Sequence, residues 1–154
     1  MKKKNKAIYL LFLMPFVYFA TACFVVWLVK TSGIYPSGSD TMYHVYRGDY
    51  VYNAIKSGNW YPLYDPAWYN GVEILRYWSP FPAYVMVFCQ YLAGGSQFGA
   101  YLIYIGGVCF LGACVWPFIG RGFNRPYLGA FIGLLWFFMP NNCLLYTSPS
   151  PRDS

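Results

Sequence analysis

Long apolar runs are the main pattern of this chain. Ala7–Val29 contains no charged residue and exceeds the ~20 residues that cross a hydrocarbon core, so it predicts transmembrane helix 1. Ala100–Gly120 predicts transmembrane helix 2 in the same way, and residues 127–142 predict the start of transmembrane helix 3. No segment alternates apolar and polar residues with the period of a strand. We therefore expect an all-α integral membrane protein with a polytopic helical bundle.

A shorter apolar run, Phe81–Ala93, allows two interpretations. Its length favours an interfacial or re-entrant helix, and a membrane span is the alternative. Lysines at the N-terminus place residues 1–6 in the cytoplasm, and the basic loop 121–126 is expected on the same side. Residues 1–6 and the loop 121–126 lie on the same side when exactly two helices between them cross the membrane. Phe81–Ala93 then lies at the outer surface. If this run crosses instead, Arg121 and Arg125 face outward.

Residues 30–99 form a large predicted external loop between the first two spans. Ser37-x-x-Asp40 fits a helix capping box and Gly58 fits a helix terminator, so a juxtamembrane helix is expected over about 40–57. Tyrosine and tryptophan are frequent in the loop, as expected for a segment at the level of the lipid headgroups.

Composition and charge agree with a membrane setting. Hydrophobic residues make up 58% of the chain and charged residues only 10%. Much of the formal net charge of +6 comes from the N-terminal lysines, which is typical of a topology signal, so nucleic acid is not an expected partner. The cysteines within the apolar runs lack the spacing of a disulfide framework or a zinc site. The lipid bilayer is the expected partner.

The last residues, 143–154, are expected not to be native. Cys143–Asp153 matches, codon by codon, the translation of a transposon-end sequencing adapter. A genuine Ser/Pro-rich tail is the alternative. On the adapter interpretation the natural protein continues beyond Asn142, and the chain is an N-terminal fragment. Any activity then belongs to the longer parent, and the fragment itself is expected to be inactive.

Three polar residues share one face of the predicted loop helix: Asp40, His44 and Arg47. A carboxylate there can deprotonate an acceptor hydroxyl or hold a divalent cation such as Mg²⁺ or Mn²⁺. His44 can pair with Asp40 or stabilise a leaving oxygen, since imidazole changes charge near neutral pH. Arg47, Lys56 and Arg76 are candidates for phosphate contacts. The structural alternative is that Asp40 caps the helix and His44 lies at the interface.

Four consecutive segments of the chain carry a family resemblance: Ser37–Arg47, Lys56–Pro66, Tyr69–Ile74 and Arg76–Pro80. They resemble the N-terminal region of bacterial membrane proteins related to 6-pyruvoyl-tetrahydropterin synthase. The most specific part of the resemblance is the ordered set Asp40, His44, Gly58, Pro62, Gly71 and Pro80. These proteins in turn resemble type C glycosyltransferases, multi-span enzymes that take sugars from polyprenyl-phosphate donors.

The resemblance implies an enzyme in the full-length parent. In type C glycosyltransferases an acidic residue just after the first span works at the active site, and Asp40 matches that position. The implied function is sugar transfer from a polyprenyl-phosphate donor at the outer face of the bacterial cytoplasmic (inner) membrane, with Asp40 as base or metal ligand. Pterin synthases of the related family need a three-histidine zinc site, and His44 is the only histidine here.

Two other functions stay open. The first is a transporter or flippase in which Asp40 and His44 relay protons or bind a substrate. The second is a non-catalytic membrane assembly protein whose loop is an aromatic plate at the interface. A transporter relay is expected near the bilayer midplane in a broken helix, whereas Asp40 follows the end of the first span. This position favours chemistry at the membrane surface.

Overall fold

The computed structural model describes residues 2–33, 41–68, 70–76 and 79–138. Its regular secondary structure is helical, apart from one isolated antiparallel bridge between Asp65 and Val72. The helices are α1 (Lys2–Ser32), α2 (Thr41–Lys56), α3 (Phe81–Leu92), α4 (Gln97–Gly122) and α5 (Pro126–Leu135), followed by the 3₁₀ helix Trp136–Phe138. The all-helical fold class predicted from the sequence is confirmed.

Within the described part of the chain, two helices are long and apolar enough to cross a membrane, judged by length and composition. They comprise Tyr9–Ser32 within α1 and Gln97–Gly122, the whole of α4. The helix α4 begins at Gln97, three residues before the start at Ala100 that the sequence predicted. The Ser96 hydroxyl accepts a hydrogen bond from the Gly99 amide and so caps the first turn. The helix α3 has only 12 residues, about 18 Å at 1.5 Å per residue, which is shorter than a ~30 Å hydrocarbon core.

The chain divides into two compact units. In the described part of the chain, unit 1 contains α1 and residues 105–138, and unit 2 contains residues 41–104. The helix α4 therefore begins in unit 2 and ends in unit 1.

The core of unit 1 forms where α1, α4 and α5 meet. Met14, Tyr18, Ala113 and Ala130 are its buried residues. The Tyr18 hydroxyl donates a hydrogen bond of 2.9 Å to the Ala130 carbonyl, so the one polar atom of this buried side chain is satisfied. Other large apolar side chains of α1 point outward, as expected for a helix that contacts lipid: Phe12, Phe16 and Phe19.

Glycines allow the helices of unit 1 to pack closely. A Cβ at Gly129 would lie 2.9 Å from the Cα of Gly120, and a Cβ at Gly133 would meet the Tyr18 hydroxyl. The Gly129-x-x-x-Gly133 pair therefore packs against α4 and α1 of the same chain. A shallow groove of about 340 Å³ lies along α4 and α5 beside this contact, lined mostly by apolar residues.

Unit 2 is built on the contact between α2 and α3. Its core contains Val51, Tyr52, Ile74, Leu75, Ala83 and Val87. The helices approach closely at Gly48, where an added Cβ would lie 2.8 Å from the Cβ of Met86. Leu75 and Ile74 come from the connection between the helices, so this segment packs into the same core.

A buried amide also joins α2 to α3. Gln90 interrupts the apolar sequence of α3 and is buried. Its Nε2 donates to Oδ1 of Asp49 at 2.6 Å and to the Gly95 carbonyl at 3.1 Å. The polar residue is therefore a cross-link within unit 2, which satisfies the rule that buried polar groups need partners.

Candidate functional site

The predicted site residues lie at the start of α2 and in the segment that follows it. Asp40 lies outside the described residues, immediately before α2 begins at Thr41. His44 lies in the first turn of α2 and is half-buried, with its ring centroid 5.9 Å from that of Tyr43. The structure therefore describes His44, and the predicted geometry between His44 and the Asp40 carboxylate stays a prediction.

Arg47 is the most unusual charged residue of unit 2. Its side chain is only 2% exposed. Its Nη2 donates a hydrogen bond of 2.5 Å to the Ser79 carbonyl, while the buried Nε has no hydrogen-bond partner among the residues that the structure describes. Burial lowers the pKa of the guanidinium from its ordinary value, because the charged form loses solvation. In the described part of the chain no carboxylate forms an ion pair with it.

The other two predicted phosphate contacts are placed differently. Arg76 is exposed, and its Nη1 lies 2.7 Å from both carboxylate oxygens of Glu73. Lys56 ends α2, with Nζ 5.3 Å from the centroid of the Tyr52 ring. Nine residues separate it from Arg47, which is about 13.5 Å along a helix and roughly two and a half turns. Arg47 and Lys56 therefore lie on opposite faces of α2.

An aromatic cluster lies beside His44. The ring of Trp68 is 5.5 Å from Tyr43 and 4.5 Å from Tyr46, measured between centroids. Tyr46 also stacks on Tyr50 at 6.4 Å. The cluster, formed by Tyr43, Tyr46, Tyr50 and Trp68, joins α2 to the segment after it. Sequence reasoning assigned most loop aromatics to a membrane belt and missed this contact, since residues 46 and 68 share no local pattern.

Asp65 is a buried carboxylate in the segment that follows α2. It is 1% exposed, and its Oδ1 accepts from the Ala67 amide at 2.9 Å, the geometry of an Asx turn. Its Oδ2 accepts a hydrogen bond of 2.5 Å from the Tyr46 hydroxyl. This bond, followed by burial, raises the pKa of Tyr46 to about 12. The Asp-Pro sequence signalled the turn, but nothing local signalled the tyrosine.

Several residues of the family resemblance have structural explanations. Gly58, just after α2, has φ +90°, and Gly71 has φ +112°, a region that favours glycine. A Cβ at Gly71 would overlap the Tyr64 hydroxyl. Pro62 is fully buried, and Pro80 precedes the first residue of α3. These four residues shape unit 2, and their pattern alone therefore does not require catalysis.

A metal site was predicted only through Asp40. Among the residues that the structure describes, no group of three His, Cys, Asp or Glu side chains is arranged to hold a metal ion. Asp40 is not among those residues, so a divalent cation bound there stays a prediction.

The helices and the comparisons together support an α-helical membrane protein. Residues 75–148 match the family of the 6-pyruvoyl-tetrahydropterin synthase related domain, which is described as a membrane protein. The match supports the family resemblance found in the sequence, although it begins at Leu75 and of the predicted site residues includes only Arg76. It ends within the segment 143–154, whose adapter origin stays a prediction. Neither the curated proteins nor the solved structures compared with the chain gave a significant match.

Proposed function

We propose that the chain is the N-terminal part of a membrane glycosyltransferase. The parent enzyme would take a sugar from a polyprenyl-phosphate donor at the extracytoplasmic face of a bacterial cytoplasmic membrane. In this proposal Asp40 is the general base or a metal ligand, and His44 assists it. The family resemblance, the membrane character of the matched family and the two apolar helices support this assignment.

The proposed reaction is a displacement at the anomeric carbon. The acceptor hydroxyl oxygen forms a bond to that carbon, while the bond from the carbon to the phosphate oxygen breaks. The electron pair leaves with the polyprenyl phosphate, and the acceptor proton passes to the Asp40 carboxylate. A positive group near the phosphate stabilises the charge that develops on the leaving oxygen.

The observation that carries the proposal is the buried Arg47. Among the described residues, this 2% exposed guanidinium has one backbone hydrogen bond and no partner for Nε, an arrangement that is costly unless an anion compensates its charge. A lipid-linked phosphate is an anion of suitable geometry for a guanidinium. His44 lies one turn before Arg47 on the same side of α2. Arg76, by contrast, already pairs with Glu73.

The first prediction concerns Asp40. In the parent protein, Asp40→Asn is expected to abolish sugar transfer while membrane insertion and abundance stay normal, because the amide cannot accept the acceptor proton. The measurement is transfer of radiolabelled sugar from a polyprenyl-phosphate donor in isolated membranes.

Glu73→Gln is the matched control for this experiment. It removes an acid from the same loop, and its exposed ion pair with Arg76 contributes only about 0 to 1 kcal/mol. We expect it to keep transfer activity. Full activity of the Asp40→Asn enzyme would contradict the catalytic assignment.

A second function is favoured by a different observation. Gly58, Pro62, Gly71 and Pro80 all serve the fold of unit 2, which is what a non-catalytic assembly protein with an aromatic loop requires. If the protein has that function, the Asp40→Asn variant should assemble as the wild type does, and assembly should be lost when unit 2 unfolds. The same substitution therefore distinguishes the two functions.

A further inference from the structure

The groove along α4 and α5 combines an apolar body with a charged end. Its volume of about 340 Å³ is near the lower limit of the ~300 to 1,000 Å³ that ligand pockets occupy. Arg125 is the charged residue among those that line the groove, and it is exposed. The apolar side chains that line the groove are those of Trp116, Ile119, Phe123, Leu128 and Ile132. We call these residues, together with Arg125, the α4–α5 groove.

Two glycines keep the groove open. Gly120 and Gly129 line it and are buried where α4 meets α5, and a Cβ at Gly129 would lie 2.9 Å from the Cα of Gly120. Neither residue extends a side chain into the space beside this contact. Trp116 and Phe123 are seven residues apart in α4, about 10.5 Å at 1.5 Å per residue. The groove is therefore long enough to hold part of an acyl chain.

The charged end of the groove lies where α4 leaves its candidate membrane span. That span is Gln97–Gly122, and Arg125 follows it by three residues. If α4 crosses the bilayer, Arg125 lies at the level of the lipid headgroups, and the apolar walls extend from there towards Trp116 in the hydrocarbon core. A phospholipid has the same order, with a polar group at the boundary and an apolar chain below it.

No acid of unit 1 neutralises Arg125. In the described part of the chain, unit 1 contains α1 and residues 105–138, and neither segment has an aspartate or a glutamate. Arg121, four residues earlier, is also exposed and adds a second positive charge. An apolar helix packed into the groove would leave these charges without a counterion. A phospholipid with a negative headgroup supplies an anion and an acyl chain together.

We infer that the α4–α5 groove is a binding site for an anionic phospholipid. The headgroup phosphate lies at Arg125, and one acyl chain lies against the apolar side chains between Trp116 and Ile132. A guanidinium suits this role because its planar donors match two phosphate oxygens. Basic pockets between transmembrane helices bind anionic lipid headgroups in other membrane proteins. The inference concerns unit 1 and does not depend on sugar transfer.

Quenching of Trp116 fluorescence by brominated lipid tests this inference. The full 154-residue chain is prepared with Trp116 as its only tryptophan, the others being replaced by phenylalanine. It is reconstituted in phosphatidylcholine nanodiscs that contain increasing mole fractions of a lipid with bromine on one acyl chain. That lipid is either phosphatidylglycerol, which is anionic, or phosphatidylcholine, which is zwitterionic, with the same acyl chains. The measurement is the mole fraction that gives half-maximal quenching.

We expect the anionic lipid to reach half-maximal quenching at an about fivefold lower mole fraction, the preference that one basic residue near a lipid headgroup confers. Arg125→Gln should remove this preference, and Arg125→Lys, which keeps the charge, should retain it. Lys30→Gln is the matched control. It removes a positive charge from the last turn of α1, outside the groove, and should leave the preference unchanged.

Equal quenching by the two lipids before any charge is removed would overturn the inference, since Trp116 would then meet only unselected bulk lipid. A preference that survives Arg125→Gln, or that disappears in Arg125→Lys as well, would overturn it too, because the charge of Arg125 would not be the cause. Absence of quenching by both lipids would also overturn it, since a second copy or another helix would then cover the groove.

Discussion

At the scale of single residues, the hydrogen bond between Tyr46 and Asp65 is the most specific contact in unit 2. It joins α2 to a turn 19 residues later, and it satisfies a carboxylate that is almost completely buried. Tyr50 makes a similar connection to Tyr64, the residue before Asp65, since its hydroxyl donates to the Tyr64 carbonyl at 2.8 Å. The acceptor is an acid for Tyr46 and a neutral carbonyl for Tyr50, and the Tyr46 bond is partly buried whereas the Tyr50 bond is exposed.

This difference predicts unequal effects of removing the two hydroxyls. Tyr46→Phe is expected to destabilise the segment 57–72 by about 1.5 to 3 kcal/mol, because a buried carboxylate loses a donor. Tyr50→Phe, the matched control, is expected to cost about 0.5 to 1.5 kcal/mol. The measurement is the rate of protease cleavage within this segment in detergent. Equal cleavage rates in the two variants would show that the hydrogen bond to Asp65 stabilises the segment no more than the hydrogen bond to the Tyr64 carbonyl.

The raised pKa of Tyr46 also predicts a pH dependence. Because the pKa rises from 10.0 to about 12 in the folded protein, the stabilisation is complete below about pH 10. It is lost as the pH rises from there through about 12, when the phenol ionises beside the carboxylate. Protease cleavage of residues 57–72 should accelerate over this range in the wild type. The Tyr46→Phe variant should lack that component, and identical pH profiles for the wild type and the variant would argue against it.

The sequence predicted parts of this picture. Asp65 before Pro66 indicated a turn, and the Asx hydrogen bond to Ala67 is present. The partner of the other carboxylate oxygen was not predictable, since it depends on how residues 57–64 fold back onto α2. Arg47 shows the same limit: its helical position was inferred, but its burial and its hydrogen bond to the Ser79 carbonyl, 32 residues later, depend on the tertiary fold.

At the scale of secondary-structure elements, local signals were the most informative. The capping-box pattern and Gly58 predicted a helix over 40–57, and the structure has α2 at Thr41–Lys56. The apolar run 81–93 corresponds to α3 at Phe81–Leu92. The pairing of these two helices could not be derived from their sequences. Gly48 permits a close approach to Met86 and Gln90 bonds to Asp49, and both contacts exist only once the helices are packed together.

The close approach at Gly48 predicts a strong effect of a single methyl group. Gly48→Ala would place a Cβ 2.8 Å from the Cβ of Met86, an atom that cannot move without shifting α3. Overpacking of this kind costs about 1 to 3 kcal/mol. Cys89 is buried in unit 2, and burial raises the pKa of its thiol, so it should react slowly with maleimide. The variant should label it faster, by roughly tenfold.

Gly107→Ala is the control for this prediction. Gly107 lies in α4, and an added Cβ would meet no atom within 4 Å. With the other native cysteines replaced, this variant should label Cys89 at the wild-type rate. Unchanged labelling in Gly48→Ala would show that α2 and α3 do not depend on the close contact.

At the scale of the whole molecule, the chain combines two kinds of packing. In unit 1, apolar helices are joined by glycine contacts and by the Tyr18 hydrogen bond, and large phenylalanines point outward. In unit 2, short helices are held by polar cross-links such as Gln90 with Asp49. The first pattern is typical of helices in lipid, where small residues allow close approach. The second is typical of a segment that also meets water.

The sequence predicts that the first span leads outward, so that α2 lies on the side of the membrane opposite to residues 1–6. Labelling of single cysteines in sealed, right-side-out membranes, in a background without native cysteines, tests this topology. Phe123→Cys, in the basic turn after α4, should react with a membrane-impermeant maleimide only after permeabilisation, whereas Asn53→Cys, on α2, should react at once. Labelling of position 123 from outside, with position 53 protected, would contradict the predicted topology.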